Sequence, residues 1–393
     1  MNTGWKKIRN LLQDTKEIQQ IGAANIIGKI IMGIFWFYVA AILGTEDYGQ
    51  VSYLIALGSM GAALSMVGSS NTIIVYGAKK IPVESVLYSI SLIIGAIASI
   101  VFYVLFENLI ISIFILGYII FNLGLSELLA KNLFKEYSIF FVIQKVVFVT
   151  LGLLFYYLIG FDGIVLGFGI SLFTLTHVII RGFKDTKIDF KILKPRFGFM
   201  MNNYALTIER VLNGQVDKIL IAPMFGFALL GNFALSLQFF AVMSIIPNIV
   251  FQYTLPKDAT GNSNQKIKKF SIFSSVGLAI LGITLAPILI PIIFPEYVEA
   301  VVLIQIVSIH LIANAIIFAY NSKLLGEENS RYVLIGKAIG VGIYLSGIIT
   351  LGTIFGINGV AIALVLSGIG QAAFNIIAIR KLKHQKTKSD VDE

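Results

Sequence analysis

The chain has 393 residues, of which 57% are hydrophobic and only 13% are charged, and its mean hydropathy is +0.87. A soluble domain carries about a quarter charged residues, so this composition excludes a soluble protein with an ordinary polar surface. The lack of cysteine excludes disulfides, thiolate metal sites and cysteine nucleophiles. Apolar stretches of about 20 residues, the length that crosses a bilayer as a helix, recur along the chain. The sequence therefore predicts an all-α polytopic membrane protein.

Twelve apolar stretches are predicted to be transmembrane helices. The residues before the first of them are polar, and that stretch is long enough to remain as a span, so no cleaved signal peptide is expected. The predicted spans cover residues 20–43, 50–77, 83–106, 109–129, 138–159, 163–180, 199–224, 230–254, 270–294, 298–322, 332–354 and 358–379.

The net charge of +9 would also suit a nucleic-acid-binding protein, but the positions of the cations argue against that interpretation. Lys and Arg occur in both terminal tails and in every even-numbered connection between spans, and the odd-numbered connections contain neither. By the positive-inside rule, both termini of the multi-pass chain face the cytoplasm, and we expect it in the plasma membrane. Membrane topology accounts for most of the basic charge, so no nucleic-acid partner is predicted.

Two kinds of glycine turn each occur twice. "GTEDYG" (44–49) and "GFALLG" (226–231) are both Gly-x4-Gly turns between two spans. "LIGFDGIVLGF" (158–168) and "IFGINGVAIAL" (354–364) both contain a glycine, an apolar residue, Asp or Asn and a second glycine. Glycine suits such short turns because it adopts positive φ without strain. The order and spacing of the four turns predict a tandem duplication of a six-helix unit.

The predicted duplication divides the chain into two bundles with the same orientation, related by a pseudo-twofold axis along the membrane normal. The N-terminal six-helix lobe with its short cytoplasmic tail would comprise residues 1–182, and a basic cytoplasmic linker residues 183–198. The C-terminal six-helix lobe would comprise residues 199–380, followed by a cytoplasmic tail at 381–393. Such an arrangement predicts a cavity between the two bundles, faced by the first helix of each.

Cations inside the predicted spans need a separate explanation. A charge at the middle of a bilayer costs about 2.5–3.5 kcal/mol on insertion scales, so it usually faces a partner or a wet cavity. Lys145 and Lys337 are shallow, and we expect them to snorkel to the interface. Lys29, about nine residues into its span, could also snorkel. The cations within spans are Lys29, Lys145, Arg210, Lys218 and Lys337.

The seventh span, "TIERVLNGQVDKIL" (207–220), is amphipathic although it lies within the membrane. At 100° per residue most of its polar residues fall within one half of the helix, with Gln215 as an exception, so this half should face water or a polar ligand. The first span has a weaker form of this pattern, since Asn25 and Lys29 lie on the same side of the predicted helix. The residues of this half of the seventh span are Glu209, Arg210, Asn213, Gly214, Asp217 and Lys218.

The first and seventh spans together carry more cations than carboxylates. Because the planar guanidinium group can bind two phosphate oxygens at once, the predicted ligand is an anionic, amphipathic molecule such as a lipid phosphate or diphosphate. The candidate phosphate-binding residues are Asn25, Lys29, Arg210 and Lys218. The alternative is that these charges only pair with one another and hold the helices together.

Three further titratable residues could form ion pairs or couple transport to an ion. Glu209 and Asp217 lie beside the cations of the seventh span, and His310 lies near the middle of the tenth. His310 could titrate with a proton gradient, or it could be a hydrogen-bonded polar residue between helices. No Walker sequence and no segment long enough for a nucleotide-binding domain is present, so any energy is expected to come from an H+ or Na+ gradient or from the substrate's own gradient. No cofactor, metal site or catalytic residue is predicted.

Four segments of the chain carry a family resemblance. They are "ILGTEDYGQVSYLIAL" (42–57), "VDKILIAPMFGFALLGNFALSLQF" (216–239), "IIFPEYVEAVVLIQIVSI" (292–309) and "IFGINGVAIALVLSGI" (354–369). They resemble segments of the polysaccharide-type flippases of the multidrug/oligosaccharidyl-lipid/polysaccharide (MOP) exporter superfamily. In the second segment Asp217 and Lys218 stand where the family usually has an Asp-Arg or Asp-Lys pair. The four segments occur in the family's order and extend over nearly the whole chain.

The resemblance implies two lobes arranged as a V that work by alternating access. It also implies a substrate, an oligosaccharide on a polyprenyl diphosphate that moves from the cytoplasmic to the outer leaflet of the membrane. In such proteins cavity cations hold the diphosphate, and Lys29, Arg210 and Lys218 are the matching residues. The chain lacks the two extra spans of lipid II flippases, so a peptidoglycan precursor is the less expected cargo.

Two alternative functions stay open at this point. A cation-coupled multidrug exporter of the same superfamily would be expected to have a net acidic cavity, whereas this one is predicted to be basic. A polyprenyl-dependent glycosyltransferase would need an acidic catalytic group on a sizeable external surface. The external acidic residues Glu46, Asp47 and Asp162 lie on turns of only a few residues. The sequence therefore predicts a transporter rather than an enzyme.

Overall fold

A computed structural model describes the backbone of residues 2–260 and 264–392. Side chains are described for residues 20–212, 214–255, 257–260 and 264–382, so most charges of the two tails and the side chain of Asn213 lie outside the described residues. Within them the chain forms α-helices, two short 3-10 segments and no strand. The α-helices are α1 (Asn2–Met66), α2 (Ser69–Ala78), α3 (Glu84–Phe106), α4 (Leu109–Ala130), α5 (Phe134–Ile159), α6 (Phe161–Ser171), α7 (Thr176–Asp185), α8 (Phe197–Gly214), α9 (Val216–Phe225), α10 (Phe227–Met243), α11 (Ile245–Ala259), α12 (Gln265–Ile293), α13 (Ala300–Gly326) and α14 (Ser330–Asp392).

The prediction of an all-α polytopic membrane protein is confirmed. In the described part of the chain, eight helical segments are long and apolar enough to cross a bilayer, and the bent pair α10–α11 makes a ninth. Two of the eight, Gln20–Met66 and Ser330–Leu382, have 47 and 53 residues, about twice the length that one crossing needs. Each contains one glycine with non-helical backbone angles, Gly44 or Gly356, where two predicted spans meet.

The first glycine of every predicted turn has a positive φ. The angles are 72° at Gly44, 75° at Gly160, 87° at Gly226 and 61° at Gly356. A residue with a β-carbon rarely adopts this conformation, so glycine is required where the chain reverses between two helices with almost no loop.

The second glycine of the later turn in each half allows a close approach of backbones. A β-carbon on Gly163 would lie 2.2 Å from the carbonyl oxygen of Phe155, and one on Gly359 would lie 1.9 Å from that of Leu351. In both halves the contacted carbonyl belongs to the residue eight positions earlier. The two turns therefore have the same local geometry.

The two Gly-x4-Gly turns pack against each other through their second glycines. A β-carbon on Gly49 would lie 1.9 Å from the carbonyl oxygen of Phe227, and one on Gly231 would lie 1.9 Å from that of Thr45. The contact is reciprocal, because each glycine of the pair also lies next to the backbone nitrogen of the other. Only a residue without a side chain permits this crossing.

Tyr297, between α12 and α13, holds the first turn in place. Its ring is buried, with 1% of its surface exposed, and its hydroxyl group lies 2.9 Å from the carbonyl oxygen of Ala40 and 2.7 Å from that of Gly44. Burial raises the pKa of this hydroxyl group far above its usual range, so the group keeps the proton that it donates.

Replacing Tyr297 by phenylalanine is expected to destabilise the protein by about 1–3 kcal/mol, because the change leaves a buried carbonyl group without its donor. The measurement is the temperature at which the detergent-solubilised protein loses its monodisperse gel-filtration peak. Tyr103→Phe is the matched control, since Tyr103 is 49% exposed. Equal stability of the two variants would contradict the anchoring role.

Two of the predicted spans are wrong in detail, because the structure interrupts them. The second predicted span, 50–77, breaks at Val67 and Gly68, which both have positive φ. The seventh, 199–224, breaks at Gln215, whose backbone angles are not helical. The eighth, 230–254, is bent by 45° between α10 and α11, and Pro247 lies in the first turn of α11. The ninth is continuous in α12 although it contains Pro287 and Pro291.

Contacts divide the chain into two compact units. The first unit contains residues 1–38 and 50–219, and the second contains residues 39–49 and 220–393. Helix α8 therefore packs within the first unit, where it contacts α2. These units describe packing, whereas the predicted lobes that flank the linker 183–198 describe a duplication and remain a prediction.

Candidate functional site

A polar cavity of about 90 Å³ lies within the first unit, and we call it the Arg210 cavity. It is formed where the predicted second span breaks and where α4 and α8 contribute side chains. Seven of its lining residues carry a polar or charged side chain. They are Ser69, Ser70, Asn71, Tyr118, Asn122, Thr207 and Arg210.

The break at Val67 and Gly68 results from a close contact with α8. A β-carbon on Gly68 would lie 2.2 Å from the carbonyl oxygen of Met200 and 2.9 Å from the backbone nitrogen of Tyr204. Glycine is therefore needed at position 68 for two reasons, since there is no room for a side chain and the residue has a φ of 73°. The chain resumes as a helix at Ser69, so the N-terminus of α2 lies at the cavity.

Two hydrogen bonds fasten α8 beside this break. The side chain of Asn71 donates to the side-chain oxygen of Asn203 over 2.9 Å, and the Tyr204 hydroxyl group donates to the carbonyl oxygen of Leu64 over 3.0 Å. They connect α8 to residues on both sides of the interruption. The position of Arg210, two turns further along α8, is thus set by a supported helix.

Arg210 is the only cation among the described residues that line the cavity, and no Asp or Glu lines it there. The side chain is exposed, and it makes no salt bridge with any described residue. It lines the same cavity as hydroxyl and amide groups on three helices, and its guanidinium group has five N–H donors. The cavity can therefore receive an anion with several oxygen acceptors.

Asp217 and Lys218 form a local ion pair in α9. Their side chains are 3.5 Å apart, and the Lys218 ammonium group also donates to the carbonyl oxygen of Gly214 over 2.8 Å. Asp217 is buried and accepts a hydrogen bond from the backbone nitrogen of Lys218. Because the helix breaks at Gln215, these residues do not continue the polar stripe of α8, and neither lines the Arg210 cavity.

The predicted residues of α1 also lie apart from the Arg210 cavity. Asn25 donates its side-chain amide to the carbonyl oxygen of Ile21 in its own helix, over 2.9 Å. Lys29 is exposed and makes no salt bridge with the described residues. Glu209 is half-buried beside Arg210. The geometry thus brings one of the four candidate phosphate-binding residues to the cavity.

His310 belongs to the second unit and packs between two helices. Its ring centroid is 5.2 Å from that of Phe240, and a β-carbon on Gly368 would lie 2.5 Å from the imidazole. Glycine at position 368 therefore makes room for the ring. Nδ1 has no hydrogen-bond partner among the described residues.

The two shallow cations expected to snorkel are half-buried. Lys145 places its ammonium group 5.1 Å from the centre of the Phe141 ring, one turn earlier on the same helix, and Lys337 lies near the start of α14. A cation–π contact of this kind stabilises a lysine that has lost part of its hydration.

Sequence reasoning missed the helix break and the hydroxyl and amide groups around it. A signal was present in "GSSN" (68–71), where a glycine that can end a helix precedes three residues that favour a helix start. The apolar residues on both sides masked the signal, because a hydropathy window averages over the four polar positions.

No known protein family and no curated protein matches the sequence. The fold does resemble solved structures. The lipid II flippase MurJ, in an inward closed conformation, is 16% identical with a TM-score of 0.78, over 92% of this chain and 87% of that one. An inward-facing multidrug resistance MATE transporter of the MOP superfamily is 14% identical with a TM-score of 0.61, over 91% and 95% of the two chains. A mutant of the Vibrio cholerae MATE transporter VcmN is 15% identical with a TM-score of 0.55, over 94% and 98%.

These likenesses define the class of fold. The chain has the two-bundle fold of MOP-superfamily transporters. At such low identity the comparison with MurJ and the MATE proteins concerns the fold, and the substrate has to be inferred from this chain's own residues.

Proposed function

We propose that the protein is a flippase for lipid-linked oligosaccharides in the plasma membrane. It would move a polyprenyl-diphosphate glycan from the cytoplasmic to the outer leaflet by alternating access, for the synthesis of a surface polysaccharide or glycoconjugate. The observation that carries the proposal is the exposed Arg210 in a polar cavity that no described carboxylate lines.

The chemistry of the cavity suits a phosphate better than a cation. A guanidinium group binds two phosphate oxygens in a fork, and charge-assisted hydrogen bonds of this kind are about twice as strong as neutral ones. The Ser70 hydroxyl group and the second N–H of the Asn71 amide can donate to the remaining oxygens. These contacts would offset the cost of taking a polar head group out of water.

The size of the cavity limits which part of the substrate it holds. A volume of about 90 Å³ is several times what one water molecule needs, so it accommodates a phosphate-sized group but no oligosaccharide. In our proposal the glycan lies outside the Arg210 cavity, and the prenyl chain stays in the lipid. Lys29, Lys218 and Asn25 would contact the substrate at other steps of transport.

The names of the similar structures state different cargoes. MurJ is a lipid II flippase, whereas the MATE protein is a multidrug resistance transporter. An exporter of cationic drugs needs acidic groups at its binding site, and the described lining of the Arg210 cavity has none. This difference favours the flippase over the drug exporter. We propose no catalytic step, and H+ or Na+ would supply the energy.

The test is a lipid extract from cells that lack this gene, compared with wild-type cells by mass spectrometry. We expect a polyprenyl-phosphate or polyprenyl-diphosphate glycan to accumulate and the matching surface polymer to disappear. Complementation with the wild-type gene should restore both. An unchanged glycolipid pool in a strain without a second flippase would overturn the proposal, and sensitivity to cationic drugs in that strain would favour the exporter.

A further inference from the structure

The first unit contains a buried carboxyl group that the proposed phosphate site does not use. Glu84, the first residue of α3, has 7% of its surface exposed. Its Oε2 atom is buried and has no hydrogen-bond partner among the described residues. The backbone N–H of Glu84 offsets part of the cost of ionising this carboxyl group, but an Oε2 atom that has lost its water and has no donor is still costly in the ionised form.

A second carboxyl group nearby is well paired. Glu127, on α4, is 2% exposed and accepts a hydrogen bond from the Tyr88 hydroxyl group, one turn after Glu84 on α3. It also accepts one from the Lys131 ammonium group over 2.6 Å. The same ammonium group lies 3.3 Å from the carboxylate of Asp185, at the end of α7. Glu127 is therefore stabilised as an anion.

The charges around Glu84 do not balance if it is ionised. Glu84 interacts electrostatically with Glu127, Lys131 and Asp185, so three carboxyl groups would share one ammonium group. Tyr88 can donate its proton only once, and it donates to Glu127. Like charges this close disfavour full ionisation, and the described residues form no carboxylate or imidazole cluster that could hold a metal ion instead.

We propose that Glu84 is a proton-binding site, protonated while α3, α4 and α7 are packed as in this structure. Glu84 and Glu127 then carry one negative charge between them, and Lys131 neutralises it. Loss of the proton would leave an uncompensated negative charge on Glu84, buried where the ends of α3, α4 and α7 pack together.

Two features make the proton exchangeable. Glu84 is at the start of α3, where the free backbone N–H groups and the helix dipole can stabilise an anion once water reaches it. The side chains of Lys131 and Asp185 are 41% and 58% exposed, so the outer edge of the cluster is in contact with solvent. A small separation of the helix ends would thus admit water and release the proton.

The second unit provides a contrast within the same chain. Lys268, in the first turn of α12, is buried and lies 2.5 Å from the carboxylate of Asp258, which also accepts a hydrogen bond from Ser322 over 2.5 Å. In the predicted duplication α12 corresponds to α3. A buried carboxylate in the second unit thus has a lysine in direct contact, whereas Glu84 has none among the described residues.

Loss of the proton would disturb the hydrogen bonds between the start of α3 and the end of α7. The Ser85 hydroxyl group, next to Glu84, lies 3.0 Å from the carbonyl oxygen of Gly182 and 2.9 Å from that of Thr186. Repulsion between ionised Glu84 and Asp185 would strain these contacts. If the protein is the flippase proposed above, this strain would couple a proton gradient to transport, and this second step rests on the proposed function.

Infrared spectroscopy of the reconstituted protein in sodium-free buffer, without substrate, tests the proton directly. We expect a carbonyl band of a protonated carboxyl group at neutral pH that is lost in Glu84→Gln and retained in the control Glu136→Gln, since Glu136 is exposed on α5. No difference between wild type and Glu84→Gln would overturn the proposal. A band that responds to Na+ rather than to pH would also overturn it.

A second variant covers the case in which Glu84→Gln does not fold. Glu127→Gln removes the neighbouring negative charge and leaves Lys131 in place, so the band of Glu84 should disappear at a lower pH than in the wild type. An unmoved transition would contradict the shared-charge arrangement.

Transport in proteoliposomes then tests the coupling. With a polyprenyl-diphosphate sugar as the probe, Glu84→Gln is expected to lose the acceleration by a pH gradient and to retain transport down the substrate's own gradient. Equal acceleration in both proteins would refute coupling through Glu84. If the wild type moves no such lipid, the flippase proposal fails, while the infrared result still decides whether Glu84 holds a proton.

Discussion

Alanine at Gly231 or Gly49 is expected to destabilise the protein by about 3 kcal/mol, at the upper end of what overpacking usually costs. At both positions the new methyl group would lie 1.9 Å from a backbone carbonyl oxygen of the opposite turn. A clash with a flexible side chain could be relieved by a rotation, but here two helix ends would have to move apart. The reciprocal geometry predicts similar losses at the two sites and little further loss in the double variant, because one separation relieves both clashes.

The measurement is the temperature at which half of the detergent-solubilised protein remains monodisperse, together with the yield from membranes. Gly277→Ala is the matched control, because the β-carbon that would be added in α12 has no neighbour within 4 Å apart from the adjacent backbone of its own helix. There alanine should be neutral or stabilising, by up to about 1 kcal/mol, through its better helix propensity. Equal behaviour of Gly231→Ala and Gly277→Ala would refute the close crossing of the two turns.

Arg210→Ala is expected to lower transport of a polyprenyl-diphosphate glycan by one to two orders of magnitude while the protein remains folded. The estimate follows from the roughly 1.5–3 kcal/mol that a hydrogen bond to a charged group contributes, since about 1.4 kcal/mol is a factor of ten. Arg210→Lys keeps the charge but cannot bind two phosphate oxygens at once, so its transport rate should lie between those of the wild type and Arg210→Ala. Initial rates of flipping in proteoliposomes measure both variants.

Arg181→Ala is a suitable control, because Arg181 is an exposed arginine of the same unit that does not line the cavity. It should transport at the wild-type rate. Added inorganic diphosphate should inhibit the wild type and Arg181→Ala more strongly than Arg210→Ala. Wild-type flux in folded Arg210→Ala would remove Arg210 from the mechanism.

Much of the fold could be predicted from the sequence, because the bilayer imposes simple rules. Long apolar stretches must become helices, since every backbone polar group needs a partner inside the chain. Gly44, Gly160, Gly226 and Gly356 were recognisable as turns because short connections between helices need positive φ. The polar face of the seventh span also directed attention to Arg210.

The details of the site could not be predicted, because they depend on contacts between distant residues. The helical projection of the seventh span assumed a continuous helix, and the break at Gln215 separates Asp217 and Lys218 from the stripe that contains Arg210. The break at Gly68 depends on Met200, more than a hundred residues away. Glu84 lies at the end of a predicted span, and only the packing of three helices shows that it is buried.

The bond between Tyr297 and the carbonyl oxygen of Gly44 joins residues 253 positions apart, which sets an order of events during synthesis. At about 5–20 residues per second, a ribosome needs roughly 13–50 s to produce the tyrosine after the glycine. Throughout that time the first hairpin lacks its contact with Tyr297, although Phe227 and Gly231 are synthesised 70 and 66 residues before the tyrosine. A nascent chain that stalls before Tyr297 therefore presents an incomplete hairpin to the insertion machinery and to membrane proteases.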